Sequence, residues 1–367
     1  MDSDLSIIVV TPRLAIAGVP LAQIRFARAL AKRGHKVKLL VGYVDPDFVF
    51  PKDIDIEVEI LNTPKVRQML WPLVRYLRAK NPDVVFSAED HLNTLMLIAA
   101  FLAGSKTKIS GSSRVTPFDT YSNTPFTKRW VLKHLSRAVM RRAKALTCVS
   151  KDMVTQYRQV FASPPHVCVY NIVDDERSRA RMREPVEHRW FDDRSMPVLV
   201  AAGRLAPWKG FADLIDAIAL LVKRKQVRLL ILGDGPLRGE LQSQIVARGL
   251  ADWVELVGYV ENPLKYFSHA DVFVLSSLVE GLPNVLVEAM MCGCTPVSTN
   301  CPTGPSEVLQ DGKYGYLVPM RDPIAMAAAI ELALDTPIPK ALLDEAVAPF
   351  EEKTVIDRHF EILGVDG

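Results

Sequence analysis

The sequence predicts an α/β protein built from two doubly wound, parallel-sheet domains. Three observations predict it. Short apolar, β-branched runs alternate with amphipathic helical runs along the chain, the pattern of a parallel sheet covered by helices on both faces. The alternation fails in 174–196, DDERSRARMREPVEHRWFDDRSM, and then restarts. The chain also has 367 residues, 49% of them hydrophobic and 24% charged, enough for two ordinary globular cores.

The elements justify this in order. SIIVV opens the first half as a strand, and PLAQIRFARALAKR then repeats apolar residues at helical spacing until Gly34, a natural helix stop. HKVKLLVGY is the next strand, and DIEVEIL alternates with period two. NPDVVFSA, KTKISGSS, ALTCVS and HVCVYN are further strand candidates, with helical stretches between most of them. The polar segment 174–196 reads as a link, which gives an N-terminal domain over 1–180 and a C-terminal domain over 190–349. In the second half, 197–202 is a strand and a helix follows from about Trp208. VRLLILG, WVELVG, DVFVLSS and TPVS are further strands, and PLRGELQSQIVARG is a helix. Doubly wound sheets bind ligands beyond the carboxyl ends of their strands. Two such sheets facing each other place the expected site in the cleft between them.

Composition excludes several classes. No run of 18 apolar residues is present, so no membrane-spanning helix is predicted. MDSDLSIIVVTP lacks a basic leader region and reads as a first strand, consistent with a cytoplasmic protein. The five cysteines form no CxxC pair, so neither a disulfide framework nor a zinc site is expected. Cys292 and Cys294 flank a glycine and read as a small-residue turn. Residues 1–185 carry 29 Lys and Arg against 17 Asp and Glu, while the whole chain has a net charge of only +3, so the second half is acidic. A basic half points to an anionic partner: a membrane surface, a phosphorylated acceptor or nucleic acid.

Three clusters carry chemistry. In Glu280-Gly281-Leu282-Pro283-Asn284, followed by VLVEAMM, the proline and the helix formers after it place a helix start near Pro283. A helix N-terminus offers free amides and positive dipole, which suit a phosphate. Glu280 precedes that start and Glu288 follows it, so the two acids do not stack on one helix face. An ionised carboxylate only accepts hydrogen bonds and suits sugar hydroxyls, although spacing alone also allows two helix-surface acids. In GRLAPWKG, Arg204 and Lys209 flank a turn at a strand end. A planar fork and a point charge suit a diphosphate, and two surface bases are the plain alternative. GDGP marks a tight turn and is not the six-residue dinucleotide fingerprint.

Taken together, GRLAPWKG, GDGP, DVFVLSS, EGLPNVLVEAM, GCTPVS and TGPSEVL, in that order between Gly203 and Leu309, resemble the donor domain of the retaining glycosyltransferases of family four. Their fold is GT-B: two Rossmann-like domains facing a central cleft. PFEEKTVIDRHFEILG resembles the family's last helix, which crosses back to the N-terminal domain, here 350–367. The resemblance covers nearly all of the C-terminal half. It is looser in the N-terminal half, where it rests on strand pattern and Gly18.

The resemblance implies roles. Arg204 and Lys209 would hold the donor diphosphate and stabilise charge on the leaving group. Glu288 would bond the ribose. Glu280 would hold hydroxyls of the transferred sugar, assisted by amides of Gly281, Leu282, Pro283 and Asn284 where these exist. Gly18 would let the N-terminal loop approach the phosphates, and the base would lie near Gly258, Tyr259 and Val260. Arg204, Lys209 and Glu280 are then the catalytic set. The reaction implied is retaining hexosyl or N-acetylhexosaminyl transfer from a nucleotide sugar, expected to be a UDP-sugar, with no metal, no cofactor and no enzyme nucleophile. Asp53-Ile54-Asp55 fits a metal-binding DxD pattern but opens an alternating strand far from the cluster.

The expected acceptor is a lipid-linked or cell-surface glycan precursor, as in lipopolysaccharide or glycolipid assembly. Where some family members carry a histidine, this chain has Gly111-Ser112-Ser113-Arg114, and related surface-polysaccharide enzymes carry Ser-x-Arg. Arg114 is therefore an acceptor-side candidate, with Glu89 and His91 after another strand. Residues 124–144, TPFTKRWVLKHLSRAVMRRAK, hold seven Lys and Arg and no acid. They read either as a solvated helix face or as an amphipathic helix for an anionic membrane surface, peripheral on the inner face of the cytoplasmic membrane. Nucleic acid fits less well, because no base-stacking motif accompanies the charge. The rival readings are a phosphorylase or epimerase of the same fold and a non-catalytic scaffold. The first lacks a lysine context for pyridoxal phosphate, and the second would be favoured by loss of Glu280, Arg204 or Lys209.

Overall fold

The β-branched runs form the strands of two parallel sheets. The computed structural model describes residues 4–365 except 16–17, 49, 51–54, 163 and 194. The chain divides into two compact units, one running to Ile172 and resuming at Glu352, the other spanning Val173–Glu351.

The first unit contains β1 (Ser6–Leu14), β2 (Lys36–Val44), β3 (Glu57–Ile60), β4 (Val84–Ala88), β5 (Lys108–Ser113), β6 (Ala145–Cys148) and β7 (His166–Cys168). Among the described residues they form one sheet in the order β3-β2-β1-β4-β5-β6-β7, parallel throughout. The period of two in β1 serves two cores. Ile7 and Val9 pack on one face with Ile24, Leu30 and the last helix, Glu352–Leu363, through Val355, Ile356, Phe360 and Leu363. Ile8 and Val10 pack on the other with Leu73, Leu77, Leu92 and Met96.

The second unit contains β8 (Val198–Ala202), β9 (Arg228–Leu232), β10 (Val254–Gly258), β11 (Val272–Leu275), β12 (Thr295–Thr299) and β13 (Tyr316–Val318), in the order β10-β9-β8-β11-β12-β13, again all parallel. Every residue of β8 is buried, as expected for a strand covered on both faces. β13 is not among the strands the sequence predicts. Each sheet has a switch point where the strand order reverses, between β1 and β4 and between β8 and β11.

The segment 174–196, expected to be a link, is part of the second unit instead. It holds two short helices, Glu176–Arg181 and Arg189–Asp192, and buries Trp190 and Phe191. Asp174 pairs with Glu351 in a parallel bridge and accepts two hydrogen bonds from Arg179, at 2.6 and 2.5 Å. Helices of six and four residues are too short to show a 3.6-residue period, so only charge was visible. No helix among the described residues is long and apolar enough to cross a membrane.

Candidate active site

The loops after β8 and β11 flank the switch point of the second sheet, and they carry Arg204, Lys209 and Glu280. After β8, Gly203 donates its amide to Leu232 O at 2.9 Å, Arg204 is exposed, and Leu205 is driven into the core. Pro207–Lys209 forms one tight turn that ends at Gly210, with φ +63°. That glycine is required by a close approach as well as by its backbone angle: a Cβ there would lie 2.0 Å from Ser276 O. The two motif loops are thereby locked together, and Leu278 N donates to Trp208 O at 2.8 Å.

This contact creates an ion pair. Lys209 Nζ lies 2.6 Å from Glu280 Oε1, and the two side chains are 17% and 11% exposed. Ser277 Oγ donates to the same oxygen at 2.6 Å. Ser276 Oγ donates to Lys209 O at 2.8 Å, and Thr303 Oγ1 donates to Glu280 O. Thr299 Oγ1 holds Ser277 O at 2.5 Å. The last motif turn closes over the same loop: a Cβ at Gly304, φ +92°, would lie 2.5 Å from Pro283 Cδ. Sequence reasoning found Lys209 and Glu280 but missed their pairing and the hydroxyls that fix it. The signals were the serine pair in DVFVLSS and the threonine of TGPSE.

The Asn284–Met291 helix begins after Pro283, as expected. Its first amides are less open than the sequence suggested. Pro283 has none, and Asn284 N donates to Leu282 O at 2.9 Å. Gly281 and Leu282 are half-buried. Glu288 is half-buried on that helix, where burial and the Glu288 charge together push the Cys292 thiol up to about 12. Burial and Glu280 likewise raise Cys301 to about 11. Both cysteines are thus protonated and inert at neutral pH. Cys294 is fully buried and donates Sγ to Phe267 O at 2.8 Å. Gly258, with φ +94°, accepts Gly233 N at 2.7 Å at the end of β10, next to exposed Tyr259 and half-buried Val260.

In the first unit, Glu89, His91 and Arg114 come together at the carboxyl ends of β4 and β5. Glu89 holds φ +78°, an unusual value for a non-glycine residue. Its carboxyl is pushed above the usual range by burial, against the opposing charges of His91 and Arg114. His91 Nε2 is 3.8 Å from Glu89 Oε2. The Arg114 guanidinium donates to Asn171 Oδ1, and burial lowers it to about 10, so it stays charged at neutral pH. Next to Glu89, the buried Asp90 accepts from Ser113 Oγ at 2.7 Å and Tyr157 OH at 2.6 Å. That network, which anchors the strained turn, was not visible in the sequence. Gly18 opens the Gly18–Lys32 helix, and a Cβ there would meet nothing within 4 Å.

Asp53 and Ile54 lie outside the described residues, and Asp55 Oδ1 is 3.5 Å from Arg28 Nε. Among the described residues no group of three His, Cys, Asp or Glu side chains could hold a metal ion.

Comparison with known proteins assigns the family. Residues 196–336 match the family model for glycosyl transferases group 1, and residues 18–177 match that for glycosyltransferase family 4. An N-acetylgalactosaminyltransferase of Campylobacter jejuni that acts on an undecaprenol diphosphate-linked sugar is 30% identical, over 69% of this chain and 67% of that protein. An uncharacterized glycosyltransferase of Methanocaldococcus jannaschii is 29% identical, over 72% of this chain and 73% of its own. The crystal structure of Anabaena HepE with UDP and glucose superposes with a TM-score of 0.76, covering 98% of this chain and 99% of that one, at 20% identity. With two parallel Rossmann-like sheets and both family models matched, the chain belongs to glycosyltransferase family 4 and is a glycosyltransferase of the GT-B fold.

Proposed function

We propose that this enzyme transfers a sugar, with retention of configuration and without a metal, from a UDP-sugar to a hydroxyl of a lipid-linked or surface-glycan precursor. The observation that carries this reading is the Lys209–Glu280 ion pair at the β8–β11 switch point, where doubly wound sheets bind their ligands, with Arg204 exposed on the same β8 loop. In this reading the bond between anomeric carbon and phosphate loosens toward an oxocarbenium ion. Negative charge grows on the departing diphosphate, and Arg204 and Lys209 stabilise it. Glu280 grips hydroxyls of the sugar and Glu288 the ribose, so the two acids do not act as an acid/base pair. Gly258, Tyr259 and Val260 border the base. HepE's complex with UDP supports the choice of nucleotide.

The acceptor side belongs to Glu89, His91 and Arg114, a cluster that offers both signs of charge at strand ends of the first unit. The Campylobacter relative's lipid-linked acceptor supports a similar class here. The Lys128–Val139 helix supports peripheral association with an anionic membrane. Ser136 is its only buried residue among those described, and Phe126, just before it, is 91% exposed. Val131 and Leu135 are exposed beside Lys128, Arg129 and Arg137, while the Trp130 and His134 rings lie tilted against each other with centroids 4.0 Å apart. Some of the charge serves the fold instead: Lys133 bonds Asn123 at 2.6 Å, and Arg142 lies 4.2 Å over the Phe101 ring.

Incubation with a panel of nucleotide sugars in the presence of a chelator tests the reading. One UDP-sugar is expected to raise the thermal midpoint and to be slowly hydrolysed. If neither UDP nor any nucleotide sugar binds, the reading is wrong. Glu280→Ala is expected to abolish transfer while UDP still binds, and loss of UDP binding would move Glu280 to the nucleotide.

A further inference from the structure

Lys209 and Glu280 are not two independent ligand contacts. Their 2.6 Å ion pair is fixed at both ends. Ser276 holds the Lys209 carbonyl, Ser277 holds Glu280 Oε1, and Thr303 holds the Glu280 carbonyl. These three hydroxyl residues are 2%, 0% and 3% exposed, so the pair rests on a rigid support and not on two mobile side chains. Among the described residues, no hydrogen bond reaches Glu280 Oε2.

We propose that this ion pair makes the donor site discriminate an intact sugar nucleotide from a free nucleoside diphosphate, and so favours release of the spent nucleotide. The inference rests on the functional reading above, in which Lys209 serves the phosphates and Glu280 the sugar. A diphosphate that approaches Lys209 competes with a carboxylate already 2.6 Å from the ammonium. Partial burial makes this competition for the ammonium stronger than it would be in open water. Sugar hydroxyls reverse the balance. They donate to the Glu280 carboxylate, spread its charge away from Lys209, and leave the ammonium to the phosphates. A bare nucleoside diphosphate brings no such donors and meets a lysine that stays half neutralised. The same carboxylate therefore strengthens the grip on the substrate and weakens it on the product.

The test is a double-mutant cycle read by calorimetric titration with UDP and with the UDP-sugar that the donor panel selects. Glu280→Gln keeps the side-chain shape and an oxygen that can accept from Ser277 and Lys209 while removing the charge. It is expected to bind UDP about tenfold more tightly than wild type, with a smaller gain or a loss for the UDP-sugar. In a Lys209→Met background the gain for UDP is expected to vanish. Unchanged or weaker UDP binding by Glu280→Gln would overturn the inference. So would an equal gain in the Lys209→Met background, which would assign the effect to direct repulsion between Glu280 and the diphosphate. Thermal midpoints without nucleotide establish that each variant folds, and Glu280→Ala, expected to shift UDP binding in the same direction, serves if Glu280→Gln does not. A wild-type protein that binds neither UDP nor a UDP-sugar would instead remove the functional reading, and this inference with it.

Discussion

Glu280 and Glu288 lie eight residues apart, yet their surroundings differ. Glu280 is held by Lys209 and Ser277, whereas Glu288 sits on the helix against Cys292. Arg204 differs from both, being exposed at the end of β8. Arg204→Ala is accordingly expected to leave the thermal midpoint unchanged and to lower the transfer rate by about 10²–10³, the range for removing one group that stabilises transition-state charge. Steady-state assay of the purified variant checks this. Gly210 carries the opposite kind of burden. Its φ of +63° and the 2.0 Å approach of a Cβ to Ser276 O mean that Gly210→Ala should cost about 2–4 kcal/mol in stability, measured by urea denaturation. The residues bearing charge were legible in the sequence because family motifs display them. The hydroxyls were not, because Ser276 meets Lys209 across 67 residues and Thr303 meets Glu280 across 23, separations that no local pattern encodes.

At the scale of elements, strands were read well because β-branched runs bounded by turns declare themselves. The segment 174–196 was misread because its buried aromatic anchors, Trp190 and Phe191, are set among charges. The Glu352–Leu363 helix places His359 between Phe26 and Phe86, with ring centroids 4.9 and 5.4 Å away. Burial, helped by the nearby Arg114 charge, lowers His359 to about 3 from the ordinary 6.5. Between those values the unfolded chain binds a proton that the folded helix refuses, so His359 lets stability fall as pH drops below about 6.5. Its slope is at most about 1.4 kcal/mol per pH unit. His166, lowered by burial to about 4, acts with the same sign, while Asp90 and Glu89, raised by burial, act with the opposite sign. The readout is therefore a difference: His359→Leu should gain stability relative to wild type between pH 7 and pH 5 in urea denaturation, and a constant difference would contradict this. For the Lys128–Val139 helix, Lys128→Ala with Arg137→Ala should weaken binding to phosphatidylglycerol-rich vesicles by about 2 kcal/mol, roughly 30-fold, in flotation assays. Indifference of the wild type to anionic lipid would remove the membrane from the picture.

At the scale of the whole molecule, the chain holds two parallel sheets, each with its own core. The second unit presents Arg204, Lys209 and Glu280 on the loops at its switch point. The first contributes the basic helix and the Glu89, His91 and Arg114 cluster. The two-sheet organisation was legible from length and alternation, which are global properties of the chain. The identity of the sugar was not, because it depends on side chains that approach one another only in three dimensions. Calorimetric titration with UDP-sugars in the presence of a chelator tests the donor-site assignment most directly. One UDP-sugar should bind the wild-type protein without metal, and Lys209→Met should weaken that binding. Absence of binding by every UDP-sugar, or binding only after a divalent metal is added, would contradict the assignment.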